Sequence, residues 1–443
     1  MRKTRASVAV TIAVLLMNSW TWADLKENKK PADDFSSAVA SSWFEVLYDV
    51  VKAERTPPPQ ASRIYGITAV ALYESIVADT DNNRSLVGQL NGLTAVPQPK
   101  KIRKTHWPTV ANTVLANTIR GLYPAISAAS SNLINNLEQS FGLQFKAEVP
   151  GQYDRSVSHG QAVATAILGW AATDGFSSKN NCAYVPAQVA GAWQATPPAF
   201  NANPLQPCWG QLRPMVLTSG GQCPPVGPPP FSTSTTSHFY AEALEVYNVG
   251  LNLTAEQKTI ADYWSDGAGA TGTPPGHWIA IVSQIARKDG LTLAAAAEAY
   301  ARVGIAVHDA FIACWNAKFI YNLQRPVTYI NANIDPNWTP YIVTPNFPTY
   351  TSGHSTQSGA AARVLADMFG TKSFTDTTHT DHGLAPPQQP RSFKSFDEAA
   401  AEAADSRLFG GIHFAFDNNN GLACGQCIAQ AIRDRVSFKV SGE

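Results

Sequence analysis

Apolar residues along the chain return at helical spacing far more often than at alternate positions. The stretches 42–51 (SWFEVLYDVV), 64–77 and 110–122 place them at i, i+3, i+4 and i+7, which predicts amphipathic helices with one face toward a core. The same spacing runs through 132–141 and 157–170 and resumes at 238–249. Thr254, with Gln257 three residues on, forms a capping-box pattern that opens a helix reaching Trp264. An alanine-rich pattern covers 291–324 and must stop or kink at Arg325-Pro326, because proline disfavours helix at the residue before it. Further helices are predicted at 355–369, 395–407, 412–418 and 422–436. No sustained alternation marks a sheet, so the chain reads as all-α.

Between 177 and 237 the pattern gives way to Pro, Gly, Ser and Asn, including Pro224-Pro225-Val226-Gly227-Pro228-Pro229-Pro230. Cys182, Cys208 and Cys223 fall in this stretch, which favours an ordered cover stapled by a bridge between two of them. The organisation expected is two helical bundles, 35–180 and 237–443, joined by the irregular segment 181–236. Residues 1–23 precede them as an expected signal peptide: Arg2, Lys3 and Arg5, an apolar run, then Thr21-Trp22-Ala23 for cleavage, with a retained signal anchor as the alternative.

Composition narrows the function classes. At 443 residues, 44% apolar and 15% charged, the chain must fold around substantial cores. Lys and Arg total 33 and so do Asp and Glu, leaving no cationic field for nucleic acid or anionic lipid. No run beyond the signal has the ~18 uninterrupted apolar residues of a spanning helix, so the expectation is an exported protein, periplasmic or secreted, with no membrane span. Cys424 and Cys427 form a CxxC without the second pair that zinc would need, which reads as a local bridge or buried thiols. Cys314 reads as a small core residue. Asn83, Asn252 and Asn337 open N-x-S/T sequences, relevant only where the host glycosylates exported proteins.

Three segments of the second bundle concentrate the chemistry. In 318–326 (KFIYNLQRP), a continuous helix would return Arg325 to within about 20° of Lys318, putting both cations on one face near Trp315. A solvated face competes with this, although Phe319, Ile320 and Leu323 make full exposure awkward. In 347–355 (FPTYTSGHS), backbone N–H groups of Ser352 and Gly353 at a helix start would attract an oxyanion, with His354 beside them to take or give a proton. An ordinary N-cap is the plainer account. In 406–417 (SRLFGGIHFAFD), His413 and Asp417 stand four apart, so that a carboxylate can orient the imidazole on one helix face. Arg407 joins them only if Gly410-Gly411 breaks the helix, and a structural ion pair competes. Together these groups suit a tetrahedral or trigonal-bipyramidal oxyanion, phosphate or vanadate.

This order and spacing resembles the superfamily shared by vanadium-dependent haloperoxidases and type 2 phosphatidic acid phosphatases. Its signature, Lys-x6-Arg-Pro, Pro-Ser-Gly-His and Ser-Arg-x5-His-x3-Asp, stands here at Lys318 to Pro326, Ser352-Gly353-His354 and Ser406 to Asp417, with Thr351 where proline is usual. The resemblance implies two helical bundles of the vanadium haloperoxidase type, and the chain looks like the soluble haloperoxidase branch. Trp315 and Phe347 resemble substrate-pocket positions of that branch. Tyr263-Trp264-Ser265-Asp266-Gly267, followed by Thr273-Pro274-Pro275, resembles the segment supplying a carboxylate that pairs with the pocket arginines, so Asp266 is the candidate there. His277, in the following Pro-Gly-His-Trp, is a weaker pocket candidate, with a structural role the plainer account.

By the same resemblance, His413 would be the metal ligand of vanadate, with Lys318, Arg325, Ser352, Gly353, His354 and Arg407 around its oxygens and His354 as the acid–base group. Hydrogen peroxide would then oxidise a halide to hypohalous acid, which an organic acceptor can consume. The competing enzyme is an exported acid phosphatase in which His413 attacks phosphorus, Asp417 orients it and His354 protonates the leaving group. A non-enzymatic alternative is an oxyanion-binding periplasmic protein, against which the two histidines argue, since anion capture alone needs no titratable rings.

Overall fold

The computed structural model describes residues 30–440; the expected signal peptide 1–23 lies outside them. The first bundle contains α1 (Ala38–Ala53), α2 (Pro58–Ile76), α3 (Trp107–Leu122), α4 (Ala128–Glu148), α5 (Pro150–Ala171) and the single turn α6 (Phe176–Lys179). The second contains α7 (His238–Leu251), α8 (Ala255–Tyr263), α9 (Thr273–Lys288), α10 (Leu293–Tyr321), α11 (Pro326–Asn333), α12 (Gly353–Phe369), α13 (Thr378–Asp381), α14 (Phe396–Phe409) and α15 (Ala415–Arg435). α1 buries the stripe its spacing predicts, Val39, Trp43, Phe44, Leu47, Val50 and Val51. α8 begins at the expected capping box of Thr254 and Gln257.

Two helices are buried nearly all round and hold the bundles together. α2 is buried from Ala61 through Ile76, and it packs along α10. α10 is long and apolar enough to cross a membrane by composition, but it is mostly buried among its neighbours, as a core helix is. One apolar cluster runs from Ala32 to Phe438, so both bundles contribute to a common core.

The structure departs from the sequence reading at several points. α15 is continuous from Ala415 to Arg435, where two helices, 412–418 and 422–436, were expected. Gly421 lies against Ser355 and the Ser352 carbonyl; it is a contact residue rather than a break. A short antiparallel hairpin, β1 (Phe374–Asp376) with β2 (Arg391–Phe393), is too brief for alternation to reveal. The irregular segment is anchored by buried Trp193, Trp209, Leu212 and Leu217 and by the Cys182–Cys208 bridge. Cys223 bonds Cys427 on α15 rather than leaving Cys424 and Cys427 to bridge locally. Residues three apart on a helix keep their Cβ atoms ~5–6 Å apart, beyond disulfide reach. Cys424 and Cys314 remain buried thiols.

Candidate functional site

Lys318 occupies the last turn of α10, which ends because Asn322 adopts the left-handed conformation (φ 45°). Arg325 is then extended and caps α11, whose first residue is Pro326. The two cations therefore do not share a helix face, as the sequence suggested; the turn between them sends them to the same place from different directions. Both are fully buried. Lys318 Nζ donates to the carbonyls of Pro348 (2.9 Å), Thr349 (2.9 Å) and Thr351 (2.6 Å). Arg325 donates through Nε to the Phe347 carbonyl and through Nη1 to the Ile412 carbonyl, each at 2.8 Å, and Nη1 lies 3.1 Å from His413 Nε2.

The loop that receives these donors leads into α12. Ser352 caps it, its hydroxyl accepting from the Ser355 N–H at 3.3 Å. The Ser352 N–H donates to the Asp417 carbonyl at 3.1 Å, so this backbone group, expected to face an anion, is already committed. Gly353 is the first helical residue and lines the pocket, where helix geometry provides its N–H with no internal acceptor. His354 follows it, with Nε2 buried and without a hydrogen-bond partner. Burial, then the Arg407 charge, holds this ring well below the usual histidine range.

Arg407 lies in the last turn of α14, and the Gly410-Gly411 break follows. Gly411 has φ 73°, and a Cβ there would stand 3.1 Å from both Pro340 and Trp338. This break lets Arg407 and His413 converge. His413 precedes α15 rather than riding on it, and Asp417, in the first turn of α15, reaches back. Asp417 Oδ2 lies 2.9 Å from His413 Nδ1, accepts the Phe414 N–H at 3.1 Å and accepts the Thr349 hydroxyl. Thr349 Oγ1 is also 3.1 Å from His413 Nδ1. Sequence reasoning missed Thr349, because a lone threonine in a loop carries no spacing signal.

Asp266 sits just after α8 in a left-handed conformation (φ 47°). It does not pair with the pocket arginines as expected: its Oδ2 is 2.9 Å from His277 Nδ1, and its charge reaches Arg407 only through space. Asp376 on β1, also unmarked in the sequence, holds the other His277 nitrogen at 2.7 Å.

Asp266, Gly353, His354, Arg407 and His413 line one cavity of about 340 Å³. Its remaining wall is apolar, with Phe311, Trp315, Ile342, Val343, Pro345 and Phe347. Trp315 is fixed by donating to the Leu205 carbonyl at 3.1 Å, and the Phe347 ring lies 4.8 Å from Arg325 Cζ and 5.1 Å from Lys318 Nζ. Burial draws Arg325 down to about 9 and Arg407 to about 10, so both stay charged near neutrality, and it lowers Lys318 as well. Burial, followed by the charges of Arg325, Lys318 and Arg407, keeps His413 neutral. Asp417 is pushed up by burial, against the Thr349 hydrogen bond and the Lys318 and Arg325 charges.

Among the described residues, none of the three cations has a carboxylate within 4.0 Å. Burying an unpaired charge costs several kcal/mol per ion, and Arg325 Nη2 and His354 Nε2 are buried without partners beside them. The described residues hold no cluster of His, Cys, Asp and Glu that would chelate a metal cation. Two guanidiniums, a helix N-terminus and a neutral ring with one free nitrogen fit a small oxyanion instead, and vanadate or phosphate has the right charge and oxygen count; Lys318, its three N–H donors committed to carbonyls, adds charge from behind them.

The model of the VCPO second helical-bundle domain matches residues 298–442. A vanadium chloroperoxidase of Curvularia inaequalis is 26% identical over 213 residues, a match that spans 35% of this chain and only about a third (35%) of that relative's length. A crystal structure described as the first bacterial vanadium-dependent iodoperoxidase is 35% identical, covers 93% of this chain and 99% of its own, and superposes with a TM-score of 0.85. The holo form of a bacterial vanadium-dependent chloroperoxidase, 14% identical and covering 93% of each chain, shares the fold with a TM-score of 0.62.

Proposed function

The chain belongs to the vanadium haloperoxidase superfamily, and from that membership we propose that it oxidises a halide with hydrogen peroxide to hypohalous acid, using vanadate held in this pocket. The observation that carries the reading is His413, a buried neutral ring held through Nδ1 by Asp417 and Thr349 with Nε2 turned toward Arg325. Vanadate would take His413 Nε2 as its protein ligand, with Arg325, Arg407, the Ser352 hydroxyl and the Gly353 N–H toward its oxygens, and with Lys318, whose three donors are held by carbonyls, contributing charge at longer range. When bound, it supplies Lewis-acid activation of peroxide without a change of metal oxidation state.

The chain's own residues do the rest. His354, neutral at Nε2, accepts a proton from incoming hydrogen peroxide and later returns it, so that peroxide, halide and one proton yield hypohalous acid and water. The three cations stabilise negative charge on the oxygens from fixed positions in a site of low dielectric. The apolar wall limits water around the reacting oxygen. Iodide is the first halide to test, since the bacterial relative that covers most of this chain is an iodoperoxidase.

Purified protein is assayed for iodide and bromide oxidation with and without vanadate, beside His413→Ala. Vanadate-dependent turnover that His413→Ala abolishes is expected. Phosphate-ester cleavage inhibited by vanadate, with no halide oxidation, would replace this reading by phosphohistidine chemistry. Tight phosphate binding without any turnover would leave an anion-binding protein.

A further inference from the structure

Behind the pocket wall, the His277 ring lies between two carboxylates. Nδ1 is 2.9 Å from Asp266 Oδ2 and Nε2 is 2.7 Å from Asp376 Oδ2, and none of the three side chains reaches solvent beyond 1% exposure. The ring stacks on Trp264 with centroids 4.4 Å apart. Asp376 is fixed in turn by the Thr378 N–H (2.9 Å), the Thr378 hydroxyl (2.6 Å) and Gln284 Nε2 (3.2 Å). A carboxylate at each ring nitrogen suits a ring that carries a proton on both, which would make the row carboxylate, imidazolium, carboxylate. Asp266 lines the pocket beside His354 and Arg407, and its other oxygen, Oδ1, is buried without a hydrogen-bond partner.

Resting on the oxyanion reading of this pocket, we propose that His277 is a positioning residue: it pins Asp266 through Oδ2 and so fixes a negative charge in the pocket wall, where that charge limits how tightly the oxyanion is held. The geometry is supported by the electrostatics. Burial opposes a charged ring, yet Asp266 and Asp376 outweigh it and lift His277 to about 10. Burial likewise opposes ionised Asp266, and the charge and hydrogen bond of His277 overcome it. The other titratable groups around the row are Tyr263 (5.6 Å) and His379 (6.4 Å) beside the ring, His354 on α12, Arg407 on α14, Tyr65 on α2, and Tyr48 on α1, which faces both carboxylates. Arg391, opposite Asp376 in the hairpin, is engaged by Glu402 and Glu256.

Without the ring, Asp266 loses its hydrogen bond and its neighbouring cation, and a buried carboxylate so placed takes up a proton near neutral pH. The negative charge then rests on Asp376, one residue further from the pocket. Inorganic phosphate is the probe, titrated by calorimetry into the full chain without vanadate between pH 5.5 and 9. His277→Gln is expected to bind phosphate at least threefold tighter than wild type at pH 6, with the advantage gone by pH 9 and with proton uptake beyond the amount that the ionisation of phosphate itself brings to both proteins. In an Asp266→Asn background the same substitution should change the dissociation constant less than twofold. A pH-independent loss of affinity in both backgrounds would assign His277 a merely structural role and overturn the proposal. Failure of the wild type to bind phosphate or vanadate at all would overturn the oxyanion reading instead. Should His277→Gln fail to fold, neutron diffraction from wild-type crystals at pH 7.5 decides: deuterons on both ring nitrogens are expected, and a single one refutes the assignment.

Discussion

Replacing Thr349 with valine keeps the bulk of the side chain but removes the hydroxyl shared between Asp417 and His413. Partners that orient a metal-binding histidine are worth roughly 10–100-fold in affinity, so Thr349→Val should weaken vanadate binding by about that range in a calorimetric titration. His277 leads to a prediction about pH. Its folded value of about 10 lies above the ordinary 6.5, so its contribution is complete below about pH 6.5 and is lost as pH rises through 10. Thermal melts from pH 6.5 to 10 should show an alkaline loss of stability that is flatter in His277→Gln. The residues that sequence could reveal, Lys318, Arg325, His354, Arg407 and His413, stand in spaced motifs of chemically distinctive types. Thr349 and Asp376 could not be found that way, because each acquires its role only from the loop or hairpin that carries it to a histidine.

At the level of elements, the site depends on how closely α15 crosses α12. A Cβ on Gly425 would lie 2.3 Å from the Thr356 carbonyl oxygen and 2.6 Å from the Ala360 nitrogen, so the backbones touch where no side chain fits. That approach sets the distance at which the Ser352 N–H meets the Asp417 carbonyl. Gly425→Ala should therefore cost about 1–3 kcal/mol by overpacking, measured by denaturant unfolding, and should weaken phosphate binding although residue 425 is outside the pocket. Periodicity located most helices, since their buried stripes are regular. It split α15 because Gly421 looks the same in sequence whether it ends a helix or admits a neighbour. It also carried α10 too far, since nothing in the spacing marks the left-handed turn at Asn322 that ends the helix.

Across the whole molecule, the Cys223–Cys427 bond joins residues 204 apart and fastens the irregular segment to α15. Cross-links of this kind contribute roughly 2–5 kcal/mol by restricting the unfolded chain, and a reductant should lower the melting temperature of wild type while leaving Cys223→Ser/Cys427→Ser unmoved by this bond. The pairing was not legible because it depends on a fold that returns α15 to the segment two hundred residues before it. The same segment supplies the Leu205 carbonyl that holds Trp315 over the pocket. Under the proposed reaction, an indole kept immobile in the wall of that pocket stands first in line for damage by the product. The enzyme should wear out in proportion to product made rather than to time elapsed, with added mass on Trp315 in peptide maps of spent protein, and Trp315→Phe should complete more cycles before it dies.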